Sequence, residues 1–173
     1  MKSLKTYSIP FTGLKLGKHY FEYEINDAFF AEFEYSLVKK ANLVCKVELD
    51  KQETMLILNF DITGTVNATC DRCLSDYLQP IDIHEQQIAR FTEEEMSEDD
   101  EIITLGKNDH EIALAGLIYE YVSVALPFIA NCSNQGDGKQ CDEEMLANLN
   151  KLAANDEKTE SVDPRWAALK KLK

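Results

Sequence analysis

The sequence predicts an α+β fold: a curved antiparallel β-sheet, barrel-like, packed by one long buried helix, with a cysteine knuckle and a short C-terminal helix. Residues 43–49 and 55–62 show the alternation of half-buried strands and are joined by a polar turn, which is typical of an antiparallel hairpin; the strand-like run continues to residue 69. Residues 110–126 leave little polar face and stop before Pro127, which indicates a helix buried against that sheet. We expect residues 1–152 to form one domain, because 173 residues suit a single core with modest extensions.

Shorter patterns predict the remaining elements. Alternating or helical spacing predicts strands over residues 19–25, 77–91 and 102–105 and helices over residues 28–35 and 143–152. In the second of these strands the alternation is lost near Gln86-Gln87, so we expect a β-bulge there. Asp109 is expected to cap the long helix at its N-terminus.

The last part of the chain has a different character. Residues 153–162 are polar and acidic, and we expect a flexible linker. Asp163 followed by Pro164 is a strong start signal for a helix, so residues 163–173 are predicted to form a short basic helix. Its expected partner-binding side chains are Arg165, Trp166, Leu169, Lys170 and Lys171. The open alternative is that Trp166 docks on the protein's own core.

Charge and hydropathy restrict the class of partner. The net charge of −13 argues against a protein that binds nucleic acid non-specifically, because binding to the phosphate backbone requires clustered lysine and arginine. Residues 93–101 are strongly acidic and are expected to form a solvated loop. No apolar run approaches the length of a membrane span, and the first residues lack the apolar stretch of a secretory signal. We therefore expect a cytoplasmic protein with reduced thiols and without membrane or small-molecule partners.

Cysteines are the candidate metal ligands. Cys70 and Cys73 form a Cys-x-x-Cys pair directly after a predicted strand, and Cys132 and Cys141 can supply two further thiolates to one structural zinc ion. The eight residues between Cys132 and Cys141 are a loose spacing, so four unmetallated thiols remain an alternative. Redox chemistry is a third use. It is disfavoured because a reactive dithiol usually lies at the N-terminus of a helix, and Pro80 leaves room for at most one helical turn after the pair. Cys45 is expected in the core.

The sequence predicts that the protein is not an enzyme. His19, His84 and His110 are scattered without a nucleophile motif nearby, and we expect solvated or capping roles for them. The sequence contains neither a glycine-rich phosphate loop nor a nucleophile elbow.

Three motifs resemble a known family. Cys70-Asp71-Arg72-Cys73-Leu74, Leu126-Pro127 and the terminal segment from Asp163 to Leu172 are similar to the YceD family. These are bacterial and plastid proteins linked to the accumulation of large-subunit ribosomal RNA, and the resemblance runs from about Leu43 to the C-terminus. It implies a non-enzymatic factor in ribosome biogenesis. Its implied partner is a large-subunit precursor, met through a basic ribosomal protein, through rRNA or through both.

One departure from the family pattern concerns the metal. Many members resemble a fuller zinc ribbon, with another Cys-x-x-Cys before a Leu-Asn pair. In this chain Leu149-Asn150 keeps the pair, but Glu144 stands where the second cysteine would fall. The zinc site is then either reduced to the four cysteines or lost. The alternatives in function are a small zinc- or thiol-dependent enzyme and an interaction adaptor unrelated to ribosomes.

Overall fold

The computed structural model describes residues 4–92, 102–134 and 141–152. The chain divides into two compact units, residues 1–141 and residues 142–173. The strands are β1 (Ser8–Pro10), β2 (Gly17–Asn26), β3 (Ala41–Lys51), β4 (Met55–Thr69), β5 (Asp76–Phe91), β6 (Ile102–Leu105) and β7 (Glu111–Ala113). The α-helices are α1 (Asp27–Ala31), α2 (Ala115–Ala125) and α3 (Glu143–Leu152), and Leu4–Thr6 and Cys132–Asn134 form 3₁₀ turns.

The main sheet has five strands in the order β2-β3-β4-β5-β6. Strands β2 to β5 form an antiparallel meander, and β6 lies parallel to β5. A second, two-stranded sheet pairs β1 with β7. The α+β prediction is confirmed, but the barrel-like closure is wrong. In the described part of the chain β2 and β6 are the two ends of an open sheet, and its inner face is covered by other elements instead of a closing strand pair.

The core lies on one face of the main sheet because side chains alternate along every strand. On β3 the odd-numbered residues from Leu43 to Leu49 are buried, and the register places the last three of them opposite buried even-numbered residues of β4, from Leu58 to Ile62. Cys45 is among them with no exposed surface, as predicted. From the other side Tyr121 of α2 meets Phe60 of β4 edge to face, with ring centroids 5.3 Å apart.

The predicted bulge in β5 is wrong. The register between β4 and β5 runs without interruption from Met55 opposite Arg90 to Thr69 opposite Asp76. The alternation is lost in the sequence because Gln87 occupies a core-facing position, where only 7% of it is exposed. Its amide donates to the carbonyl oxygen of Ile88, and its oxygen accepts a hydrogen bond from the Tyr121 hydroxyl at 3.2 Å. These bonds satisfy a polar side chain inside the core.

The long helix is shorter than predicted. Residues 111–113 form β7 instead of the first helical turn, and Ile112 is buried there opposite Ile9 of β1. Asp109 accepts a hydrogen bond from the Gly106 N–H and so closes a turn instead of capping the helix. The buried residues of α2 are Ala115, Ile118 and Val122, so one face of this helix is buried, and the expectation of one long, largely buried helix is not confirmed. Leu126 adopts an extended conformation before Pro127 and ends the helix, as predicted.

The shorter elements match the sequence to different degrees. Helix α3 has the predicted bounds, β2 is longer than the predicted strand, and α1 is shorter than the predicted helix. The acidic segment 93–101, the linker 153–162 and the terminal helix 163–173 lie outside the described residues. Among the helices that the structure describes, none combines the length and the apolar character needed to cross a membrane.

Candidate metal centre

Four cysteines meet at the end of the main sheet where β4 turns into β5. Cys70 and Cys73 lie in that turn, Cys132 lies in the 3₁₀ turn beyond α2, and Cys141 closes the group. Their four sulfur atoms all lie within 4.8 Å of one another. Cys70, Cys73 and Cys132 are buried and Cys141 is half-buried, so the predicted ligand set converges at one site.

The spacing of the sulfur atoms fits a tetrahedral ion. The Sγ atoms of Cys70 and Cys141 are 3.9 Å apart, and those of Cys73 and Cys132 are 3.5 Å apart. Four thiolates about 2.3 Å from a central zinc ion stand about 3.8 Å from one another. A disulfide would need sulfurs about 2.05 Å apart, and all five cysteines are free. The donor set therefore fits a four-thiolate zinc site.

A tight turn holds the first pair of ligands. The N–H of Cys70 donates to the carbonyl of Ser75, and the N–H of Leu74 donates back to the carbonyl of Cys70, both at 2.9 Å. At Leu74 the backbone adopts the left-handed conformation, with φ at 60°, and this closes the turn. An L residue adopts that conformation at a cost of about 1–2 kcal/mol, so the turn stores strain beside the cluster.

Asp71 ties the two halves of the cluster together. Its N–H donates to the carbonyl of Ala130 at 2.8 Å, and its carboxylate accepts the Ala130 N–H at 2.7 Å. This reciprocal pair holds the segment leading to Cys132 against the β4–β5 turn. The sequence analysis did not predict this role of Asp71. The one signal for it is the position of Asp71 inside the Cys-x-x-Cys motif.

The thiols have unequal proton affinities. Burial acts to raise the pKa of Cys70, but the N–H groups of Cys73, Arg72 and Cys132 point at its sulfur and hold the pKa below the ordinary value. Burial, together with hydrogen bonds from the neighbouring thiols, raises the pKa of Cys132 to about 12. Burial also raises the pKa of Cys141. A bound divalent cation would supply the positive charge that allows four crowded thiols to ionise together.

Exposed apolar side chains surround the cluster. Leu74 is 68% exposed, and Phe128, just after α2, is fully exposed. A groove of about 590 Å³ lies nearby, lined by Leu37, Asp71 and Phe128 among other residues. Exposed apolar surface of this kind is typical of a contact site for another molecule.

The remaining candidates are the partner-binding residues and Glu144. The predicted partner-binding residues Arg165, Trp166, Leu169, Lys170 and Lys171 lie outside the described residues. Glu144 is an exposed residue in the first turn of α3, where its N–H donates to the carboxylate of Asp142. In the part of the chain that the structure describes, the metal-type cluster contains cysteines alone.

The three histidines lie on different parts of the fold. His84 is exposed on the outer face of the sheet, where Nδ1 lies 2.6 Å from Asp61 and Nε2 lies 3.2 Å from Asp82. The hydrogen bond with Asp61 and the charge of Asp82 raise its pKa. His19 contacts the carbonyl of Lys15, and His110 is exposed before β7 instead of starting a helix.

The fold and site define a small α+β protein with an open sheet and a cluster of four cysteines that could hold a metal ion. The family model described as large ribosomal RNA subunit accumulation protein YceD matches residues 58–173, and the chain belongs to this family. The matched span includes all four cysteines of the cluster and confirms the resemblance found in the sequence. No curated protein and no solved structure matches the chain.

Proposed function

We propose that this protein is a non-enzymatic cytoplasmic factor that supports the accumulation of large-subunit ribosomal RNA by binding a large-subunit precursor. The observation that carries the proposal is the family match over residues 58–173. The family's name indicates a role in large-subunit RNA accumulation, and binding of a precursor is the mechanism that we infer for that role.

The charge of the body supports a basic ribosomal protein as the direct partner. Exposed acids on the outer face of the sheet include Glu22, Glu24, Asp61 and Asp82. With a net charge of −13, this surface repels phosphate and attracts lysine- and arginine-rich segments. The basic residues 163–173 would contact rRNA or a second protein.

The metal centre supports a structural role. Zinc held by Cys70, Cys73, Cys132 and Cys141 has all four positions filled by protein sulfur, so no position is open for a substrate or a water nucleophile. Such an ion would fasten the β4–β5 turn to the segment beyond α2. It would thereby hold the exposed apolar side chains Leu74 and Phe128 in fixed positions for a partner.

A thiol-dependent enzyme is the second candidate, and the lowered pKa of Cys70 is the observation that favours it. Against it, Cys70 has no exposed surface, and the chain after Cys73 enters strand β5 instead of a helix. Thiol titration separates the two. A structural centre gives slowly reacting thiols together with one zinc per chain, whereas a catalytic thiol reacts fast.

The test of the proposed function is genetic and biochemical. Deleting the gene should lower the ratio of large-subunit to small-subunit rRNA, and the tagged full chain should co-sediment with large-subunit precursors. A Cys73→Ala variant should fail to restore the ratio, while Cys45→Ala, which removes a buried thiol outside the cluster, should restore it. An unchanged rRNA ratio together with co-purification of unrelated proteins would point to an adaptor with no ribosomal role.

The proposed contribution of the terminal helix needs a separate experiment. Lys170→Glu with Lys171→Glu should reduce co-sedimentation with the precursor. Lys5→Glu with Lys15→Glu makes the same change of charge at two exposed lysines before the matched region, and it serves as the control. Equal effects of the two double variants would show that overall charge, and not the terminal helix, governs binding.

A further inference from the structure

We propose that the outer edge of β2 pairs antiparallel with the same edge of a second copy, so that the main sheets of two chains join into one. β2 is ten residues long and is the first strand of the main sheet, with β3 on one side. In the described part of the chain no strand pairs with its other side. A long sheet edge presents a row of backbone donors and acceptors suited to a further strand.

The hydrogen-bond pattern shows which residues of β2 direct their backbone N–H and C=O groups away from β3, toward the free edge of the sheet. The N–H of Gln52 donates to the carbonyl of Met55, and the N–H of Asn67 donates to that of Lys40. Even-numbered residues of β3 therefore bond to β4, and its odd-numbered residues bond to β2. Since the register pairs odd with odd, for example Leu49 with His19, the odd-numbered residues of β2 are the ones bonded to β3.

The even-numbered residues of β2 must then direct their N–H and C=O groups off the sheet. Glu24 agrees with this deduction, because its carbonyl accepts the Tyr7 hydroxyl at 2.9 Å. Tyr7 thus occupies the end of the edge near Glu24. Beyond Glu24, Asn26 ends the strand and caps α1 with its side chain. On the other side of Glu24 lie Lys18, Tyr20 and Glu22, which form the stretch available to a second strand.

The side chains of this stretch are complementary to themselves. A two-fold axis at Tyr20 sets Tyr20 opposite its own copy and sets Lys18 opposite Glu22 of the second copy on both sides. Cross-strand pairs of opposite charge and of aromatic rings are the ones that stabilise a sheet. Tyr20 is 72% exposed, a large apolar surface that this pairing would cover.

Three neighbouring registers are worse. Moving the axis to Glu22 or to Lys18 places identical charges directly opposite each other, which is destabilising. Moving it to Phe21 pairs Lys18 with Glu24, whose carbonyl is already taken by Tyr7. In the favoured register Lys18 would lie between Glu22 of the second copy and its own partner Glu48, 2.8 Å away. Charge and hydrogen bonding select the same alignment.

Sedimentation velocity of the full chain tests the proposal. A pairing limited to one sheet edge buries less area than a standard interface. We therefore expect a reversible dimer with a dissociation constant between about 1 μM and about 1 mM. Glu22→Lys places lysine opposite Lys18 twice and should weaken the dimer about tenfold or more. Glu24→Lys makes the same change of charge on the same face but outside the proposed pairs, and it should leave the dimer unchanged.

Two further variants keep the test decisive. Lys18→Glu combined with Glu22→Lys restores both pairs with exchanged signs and should recover the dimer, with thermal melts confirming that each variant folds. Tyr20→Cys should cross-link two chains under diamide, because directly opposed residues have Cα atoms about 5.5 Å apart. Glu24→Cys should not cross-link, because Glu24 lies outside the proposed pairs.

Two outcomes would overturn the proposal. One is a wild-type chain that stays monomeric at every concentration, and the other is equal weakening of the dimer by Glu22→Lys and Glu24→Lys.

Discussion

Replacing Cys73 by alanine should release zinc without unfolding the main sheet. The cysteine cluster forms a small core of its own, in which Cys70, Cys73, Cys132 and Tyr77 are buried, separate from the large core on the inner face of the sheet. A structural zinc contributes on the order of 10 kcal/mol, so one of four ligands is worth about 2–3 kcal/mol. The affinity for zinc should therefore fall by about two orders of magnitude.

The assay has a global and a local part. Elemental analysis and competition with a chromophoric chelator measure zinc in the full chain, and hydrogen exchange reports on the backbone. The variant should lose protection at the amides of Asp71 and Ala130, which join the two halves of the cluster, while the β3 and β4 amides keep theirs.

Cys45→Ala is the matched control, because Cys45 lies in the large core. It should keep zinc and lose about 1–2 kcal/mol of stability through the cavity that it leaves. The reasoning is refuted if wild-type protein isolated without chelators contains no zinc and its four cluster thiols react rapidly while the chain stays folded. It is also refuted if Cys73→Ala unfolds the whole sheet, since the two cores would then not be separate.

Three further outcomes can be checked by unfolding and titration. Gly64→Ala should cost about 2–3 kcal/mol in urea unfolding, because φ is 140° there and a Cβ would lie 2.9 Å from the Leu43 Cα, whereas Gly116→Ala, an open helical position, should gain about 0.5–1 kcal/mol. Leu74→Gly should raise stability by about 1 kcal/mol by relieving the left-handed strain, and Leu74→Val should lower it; equal effects would contradict the strain. His84 has a raised pKa, so its ion pairs should stabilise the fold below about pH 6.5, and that contribution should vanish as the pH rises through the folded pKa. Comparing wild type with His84→Gln in urea at acid and alkaline pH measures this, and a larger difference at alkaline pH would contradict the sign.

Much of the fold could be predicted from local patterns. The hairpin of β3 and β4 and the bounds of α3 follow from side-chain periodicity, because the spacing of apolar residues within each segment indicates its secondary structure. The pairing of β1 with β7 could not be predicted, since three-residue strands carry no period. Without that pairing, the helical pattern of the sequence extends back to His110, where the long helix was expected to begin. The predicted bulge failed for a related reason: Gln87 lies in the core, where the hydroxyl of Tyr121, from a distant helix, donates to it.

The sequence by itself determined the family, the donor atoms and the hairpin that carries the first pair of cysteines, since all three are properties of short segments. Only the tertiary structure decided that four thiols meet, that Asp71 joins their two halves, and that the sheet stays open with β2 at its edge. The physical reason is separation along the chain. The sulfur pairs that approach each other, Cys70 with Cys141 and Cys73 with Cys132, are 71 and 59 positions apart. Contacts of that range depend on how whole elements pack, which no local pattern records.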